Sequence, residues 1–317
     1  MNLLAGVVIK STGSWYDVKL TDGEVVPCRM VGKFRLNGLK VTNPIAVGDR
    51  VKLVMEEGED GKGVIKEIED RENYIIRQSP RKKHYLHILA ANIDQAVVIV
   101  TIREPKLKQG FIDRFLLMTE TFNIPVHIFF NKGDVYTDDD LMTYQYLKEI
   151  YEKIGYNCYI ISALENKGFK KLNELIAGKL TLFGGQSGVG KSSVINRLAP
   201  NLTLKVGEIS QYMGKGQHTT TFAEMFELGD GTRIIDSPGI KTLSYNHLEI
   251  QDVAHNFREF FEISSQCKFQ DCSHRNEPKC AVKEGLENGT LSELRYKNYC
   301  LILDEIEGQN YWERNSK

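Results

Sequence analysis

The chain carries no excess charge of either sign, no long hydrophobic run and few cysteines for its length. Its 317 residues hold 41 basic and 42 acidic side chains, a formal net charge of -1. That balance excludes a whole-molecule polycation, so any nucleic-acid surface must be a local patch. The longest apolar runs, such as AVVIVTI (96–102), are far too short to span a bilayer, and no membrane association is expected. No lysine or arginine precedes the short apolar start MNLLAG, so no secretory signal is expected, and the Asn-x-Ser/Thr matches at Asn201 and Asn288 then carry no glycosylation. Six cysteines in a chain this long do not make a disulfide framework. A cytoplasmic setting follows as the expectation. There are no internal repeats or low-complexity tracts. The length allows two or three domains and at least one sizeable core.

Residues 1–70 contain five short β-rich runs, GVVIK, YDVKL, EVVPCRM, DRVKLVM and KGVIKEI, separated by Gly, Asn, Pro and Asp. Five strands in so few residues predict a small closed barrel. An OB-fold is the economical choice, and an SH3-like barrel fits the strand pattern nearly as well. Residues 29–52 hold Arg29, Lys33, Arg35, Lys40, Arg50 and Lys52 against one acid, Asp49, which reads as a nucleic-acid contact or as a solvated barrel face. The basic stretch RQSPRKKH (77–84) reads as a loop, beside RNA or simply solvated. From about residue 90 apolar strands alternate with amphipathic helices, the pattern of a parallel sheet covered on both faces. A hairpin is predicted where FAEMFEL turns at GDG into TRIID. The α/β region is expected over 71–245. Residues 246–317 mix Phe, Tyr, Cys and charge, without strands. Thr290–Glu293 has capping-box spacing ahead of a terminal helix.

The stretch GGQSGVGKSS comprises Gly184, Gly185, Gln186, Ser187, Gly188, Val189, Gly190, Lys191, Ser192 and Ser193. Its Gly185-x4-Gly190-Lys191-Ser192 core is a P-loop pattern, with an apolar strand before it and a helix after it. The glycines let successive N–H groups turn inward as an anion nest at a helix N-terminus. Lys191 is then expected on the β- and γ-phosphates, and the Ser192 hydroxyl on Mg²⁺. Asp236 ends the strand TRIID, where a water-mediated magnesium ligand belongs, and the N–H of Gly239 is placed to sense the γ-phosphate. Between these lies HTTT (218–221), a first switch in which Thr220, or its neighbour Thr221, is expected to reach Mg²⁺. Asn131, Lys132, Gly133 and Asp134 follow the strand HIFF. A carboxylate at Asp134 can accept from both guanine N1–H and the exocyclic amine, a pair of donors adenine lacks. Asn131 would tether neighbouring loops and Lys132 cover the base. Ser162 and Ala163 follow the next strand, where a backbone N–H can meet the guanine oxygen.

The order is base-reading motif, second base loop, P-loop, first switch, second switch. Every part of a GTPase is present with the cut point moved, so the core reads as a circular permutation. Ile240 stands where Ras-like enzymes keep a water-orienting glutamine, which leaves His218 as the candidate for that task, or as a polar switch residue only. Slow intrinsic hydrolysis, accelerated by a partner, is the expectation.

Cys267, Cys272, His274 and Cys280 offer three sulfurs and one imidazole within fourteen residues. That set suits a closed tetrahedral Zn²⁺ site with a structural role, an Fe–S cluster being less favoured with His present. Cys28, Cys158 and Cys300 are isolated in apolar contexts and read as small core residues.

Taken together, NKGD, GGQSGVGKSS, HTTTF, DSPG and the Cys-Cys-His-Cys spacing resemble, over the whole chain, the bacterial circularly permuted GTPases of the RsgA/YjeQ type, which assist small ribosomal subunit assembly. The resemblance implies an N-terminal OB-fold, binding to the 30S subunit late in its maturation, contacts to 16S rRNA, GTP hydrolysis to GDP stimulated by the particle, and release afterwards. A monomer is expected. An RNA-binding chaperone with nucleotide as a structural ligand, and a P-loop ATPase, are the alternatives; Asp134 argues against the latter.

Overall fold

The computed structural model describes residues 3–30, 41–56, 58, 61–78, 85–200, 223–237, 245 and 248–315, of which 77–78 and 309–315 by backbone alone. His218, Thr220, Gly239, Lys33, Arg35 and Lys40 lie outside the described residues.

The five predicted strands form at the N-terminus: β1 (Leu4–Ser11), β2 (Trp15–Leu20), β3 (Val25–Met30), β4 (Arg50–Met55) and β5 (Gly63–Ile68). Side chains alternate along them, and the inward set Val8, Tyr16, Val18, Val26, Cys28, Val51, Leu53 and Ile65 makes a separate core. β1 pairs with both β2 and β4, β2 with β3, β3 with β5 in parallel, and β5 with β4. The ring closes in the order β1-β2-β3-β5-β4, and this order selects the OB arrangement over an SH3-like barrel.

The stretch read as a basic linker is partly strand. β6 (Tyr74–Gln78) and β7 (Leu86–Ala91) pair antiparallel, with Arg77 opposite His87 and Gln78 opposite Leu86. Arg77 and Gln78 therefore belong to a ladder. The polar composition of RQSPRKKH hid it. This hairpin docks the barrel. Arg71 donates to both carboxylate oxygens of Asp49 at 2.6 Å and to Pro44 O at 2.6 Å, with both side chains nearly inaccessible. Gly48 sits at φ +94°, and a Cβ there would lie 2.0 Å from Ala91 O, so only glycine permits that approach.

The α/β region alternates as predicted: β8 (Gln95–Val100), α1 (Gly110–Glu120), β9 (Val126–Phe130), α2 (Asp138–Lys153), β10 (Asn157–Ile160), α3 (Phe169–Ile176), β11 (Leu180–Gly185) and α4 (Lys191–Leu198). The hairpin β12 (Glu224–Gly229) and β13 (Thr232–Asp236) completes the sheet. The order is β10-β9-β8-β11-β13-β12, parallel from β10 to β13. β8, β9 and β11 are buried along their whole lengths, which is why they read as mostly apolar runs rather than alternating ones. β12 reaches β1 through a single pair, Glu224 with Lys10, so barrel and sheet are continuous.

Four helices close the chain: α5 (Ile250–His255), α6 (Arg258–Ser264), α7 (Ala281–Glu287) and α8 (Glu293–Asn315). The capping box read at Thr290 does not form. Thr290 Oγ1 instead donates to Gly285 O at the end of α7, at 3.1 Å, and the N–H of Arg295 reaches Ser292 Oγ at 3.4 Å. The helix starts two residues later than the Thr-x-x-Glu spacing suggests, because Gly289 and Thr290 are used to close α7. Among the described residues no helix is long and apolar enough to cross a membrane.

Candidate nucleotide and metal sites

The carboxyl ends of β8, β9, β11 and β13 lie along one edge of the sheet, where open parallel sheets bind their ligands. That edge collects Asn131 just after β9, Ser162 and Ala163 after β10, the glycine-rich loop after β11 and Asp236 at the end of β13. Motifs up to about one hundred residues apart in the chain thus meet.

Asn131 is the fastener. It is 1% exposed, its Nδ2 donates to Val189 O at 2.9 Å, and its Oδ1 accepts from the N–H of Ala163 at 3.1 Å. One amide thereby ties the base-reading strand to both the P-loop and the second base loop. The close approach requires Gly190, which stands at φ +84°; a Cβ there would lie 2.4 Å from Asn131 Nδ2. Lys132 takes a left-handed conformation and its ammonium donates to Glu104 O. Gly133 bonds through its N–H to Ile161 O at 3.0 Å. The Ser162 hydroxyl donates to Asp134 Oδ1 and accepts from the N–H of Glu165 at 3.0 Å, which fixes the carboxylate's orientation. Of the two residues expected to offer a backbone N–H to the base, Ala163 donates to Asn131 Oδ1 and Ser162 to Lys167 O at 3.1 Å.

The P-loop runs from Gly184 and Gly185 at the end of β11 into α4. Ser187 and Gly188 are exposed, Gln186, Ser192 and Ser193 are half-buried, and Val189 is buried. The Lys191 ammonium pairs with the Asp236 carboxylate, both largely buried, and burial pulls Lys191 down to about 8. Lys191 and Ser192 open α4 and Asp236 ends β13, so this edge of the sheet supplies one cation, a hydroxyl and a carboxylate. Magnesium accepts such hydroxyl and carboxylate oxygens and completes its shell with phosphate and water, so the donor set fits it.

Cys267, Cys272, His274 and Cys280 place one ligand atom each within 4.8 Å of one another. Cys267 Sγ and Cys280 Sγ are 4.0 Å apart, and His274 Nδ1 is 3.7 and 3.4 Å from them. A tetrahedral zinc with sulfur arms of about 2.3 Å has edges of roughly 3.8 Å, which these separations match. The ligand loop is held by side chains the sequence does not advertise. Tyr296 and Tyr299 donate to His274 O and Ser273 O, both at 2.8 Å. Glu277 accepts from the Ser273 N–H and hydroxyl and from the N–H groups of Arg275 and Asn276. Burial alone would raise the Glu277 carboxyl, but these hydrogen bonds outweigh it and hold it down at about 2.

Residues 68–246 match the RsgA GTPase family, and residues 5–65 match the RsgA N-terminal domain. The chain belongs to the RsgA GTPase family. It is therefore a GTP hydrolase, with its motifs in permuted order. It is 48% identical to "Small ribosomal subunit biogenesis GTPase RsgA" of Bacteroides fragilis over 97% of this chain and 99% of that one, and 47% identical to the protein of that name from Christiangramia forsetii, over 97% and 98%. Among solved structures it is similar to YjeQ from Thermotoga maritima (TM-score 0.74, 35% identity, 97% and 99% coverage) and to YloQ, described as a circularly permuted GTPase (0.71, 30%, 97% and 96%).

The structure adds family-site supports that motif spacing could not reveal. Tyr136 donates to Asn131 O at 2.7 Å and accepts from the Ile102 N–H at 3.1 Å, bracing the base motif against the loop after β8. Arg197 of α4 reaches Ala163 O and Leu164 O at 3.3 and 3.1 Å, clasping the second base loop. The GTPase core and the final helices join through Arg295, which is 2% exposed. It forms a two-pronged pair with Glu259 at 2.7 and 3.0 Å and meets Asp113 of α1 at 2.7 Å. Its guanidinium also lies 4.4 Å from the Phe257 ring centre. A second joint stacks Arg258 over Tyr156 at 4.1 Å and pairs it with Glu120.

Proposed function

We propose that this chain binds the small ribosomal subunit late in its maturation, contacts 16S rRNA, and uses GTP hydrolysis, stimulated by the particle, to time its release. The full-length similarity to proteins named for small ribosomal subunit biogenesis supports the biological setting. The single observation that carries the GTP reading is Asn131, one buried amide holding base loop, P-loop and base-reading strand in register. In this reading the domains run 1–70, 71–245 and 246–317, and the protein works as a monomer in the cytoplasm.

Each residue then has a task. Asp134 takes the two guanine donors while Ser162 holds it in place; Lys132 lies along the base. The amides from Gly185 to Ser193 surround the phosphates, and Lys191 exchanges its bond to Asp236 for phosphate oxygen. Mg²⁺, held by Ser192, Asp236 and Thr220, would neutralise charge developing on the transferred group. Gly239 senses the γ-phosphate, and His218 orients the attacking water in place of the missing glutamine. Zn²⁺ in the Cys267, Cys272, His274 and Cys280 site would cross-link the loop and do no chemistry. Metal analysis of chelator-washed protein is expected to return about one zinc per chain; none would remove this site.

The deciding experiment is hydrolysis of GTP and ATP with and without purified 30S subunits. GTP turnover is expected to rise by about two to four orders of magnitude with the particle, the scale of a catalytic side chain brought into place, with ATP inert. His218→Ala should lose the stimulated rate while still binding GTP. Undiminished stimulated turnover in that variant would exclude the catalytic role of His218, and equal use of ATP would exclude the guanine reading.

A further inference from the structure

Among its described residues the barrel carries one large aromatic side chain that the fold does not bury. Trp15 opens β2 and is 41% exposed, whereas the next residue, Tyr16, is 1% exposed and hydrogen-bonded to Asn43 at 2.6 Å. Alternation along the strand places Trp15 on the outer face of β2 and β3. Its cross-strand neighbour is Arg29, and Lys62, in the β4–β5 connection, holds its ammonium 5.8 Å from the indole centre. The ring's backbone is fixed, since Trp15 O accepts from the Thr12 N–H at 2.9 Å and from Thr12 Oγ1 at 3.1 Å, closing the β1–β2 turn beneath it.

Three independent observations coincide at this position. Leaving an indole in water forgoes a large hydrophobic gain, and nothing in the barrel core requires it to be outside. The outer face of strands 2 and 3, with the β1–β2 and β4–β5 connections, is the face on which five-stranded barrels of this order take oligomeric ligands. The cations beside the ring, Lys62 and Arg29, suit a phosphate chain running past a stacked base; Arg29 is oriented by Glu56, whose Oε1 accepts from Arg29 Nε at 3.0 Å. Asp17 on the same strand face works against a continuous backbone track. That favours a local grip on one nucleotide over a long electrostatic groove.

We propose that Trp15 is a stacking platform for an unpaired nucleobase of single-stranded RNA, with Lys62 and Arg29 serving the adjoining phosphates. This deepens the rRNA contact proposed above and rests on it. A base inside a duplex already has its faces covered by its neighbours. The platform therefore selects loops, bulges or ends over helical RNA.

The test uses the full chain with Trp312→Phe, which leaves Trp15 as the single indole. It is titrated with a uridine-rich single strand of about eight nucleotides, within the usual site size of such barrels. Quenching of Trp15 emission on binding is expected. In an anisotropy assay Trp15→Ala should weaken binding by about tenfold and Trp15→Phe by less than about threefold, since any aromatic face can stack. Lys62→Gln should weaken it while leaving the ring in place. Melting temperatures should not change, because the ring is outside the core. Binding of Trp15→Ala at wild-type strength, absence of quenching, or equal affinity for the same sequence in duplex form would each overturn the proposal. Particle-stimulated GTP hydrolysis of the wild type is measured in parallel. Its absence would bring down the assembly reading, whereas the oligonucleotide data judge Trp15 separately.

Discussion

In an Asp134→Asn protein the affinity for GTP is expected to fall by at least about a thousandfold, while that for xanthosine triphosphate rises to near the original GTP value. The carboxylate offers only acceptors, and guanine presents two donors to it. An amide in that place can still accept from N1–H through its oxygen, but its nitrogen points a donor at the exocyclic amine, so one hydrogen bond becomes a repulsion and a partly desolvated polar pair is left unmade. Xanthine carries a carbonyl where guanine carries the amine, and the amide nitrogen can donate to it. The substitution should leave the fold intact. Asp134 is only half-buried, and Asn retains the Oδ1 that accepts from Ser162. Calorimetric titration with the two nucleotides checks both halves. Unchanged GTP preference in the variant would mean that another group reads the base.

Arg295→Ala is expected to destabilise the protein by about 3–5 kcal/mol, the usual cost of removing one partner from a buried ion pair. Asp113 is fully buried and Glu259 is 6% exposed, so neither carboxylate can recover its hydration once the guanidinium is gone. Burial alone would lower the Arg295 pKa, but Glu259 and Asp113 outweigh it and hold the group well above the ordinary arginine value. The charge is therefore permanent. Asp113 would keep its hydrogen bonds from Tyr151 at 2.7 Å and from Asn298, while Glu259 would lose both of those that Arg295 supplies. Arg295→Lys should recover only part of the loss, because an ammonium cannot meet Glu259 with two parallel bonds and Asp113 at once. Urea unfolding followed by circular dichroism measures the shift. A change below about 1 kcal/mol, the range of exposed pairs, would show that water reaches the joint.

Much of the site was legible because its chemistry is local. The P-loop is a contiguous run whose glycines are needed for backbone reasons, and NKGD is four consecutive residues. The Cys/His cluster spans fourteen residues, close enough for spacing alone to bring four donors together. The parallel strands were equally plain, since burial on both faces leaves them mostly apolar, with only isolated polar residues such as Gln95, His127 and Thr181. What escaped was whatever depends on contact between remote segments. Tyr136, Arg197 and Glu277 are an ordinary tyrosine, arginine and glutamate by sequence, and become supports only through the backbone groups that the fold places beside them. The β6 strand escaped because its sequence ends in Arg77 and Gln78 and runs on into SPRKKH, the composition of a loop. The Thr290 reading failed because two helix ends compete for the same hydroxyl, and the carbonyl of Gly285 won it.

The order of motifs along the chain, and hence the permuted GTPase, was settled by the sequence alone: a guanine-reading motif upstream of a P-loop can have only one meaning once both are complete. The choice of an OB ring over an SH3-like one belonged to tertiary structure, because five short strands specify their number and not their partners. So did the Arg295 seam. A buried guanidinium is tolerable only where carboxylates from separate helices arrive together, and no stretch of sequence records that arrival.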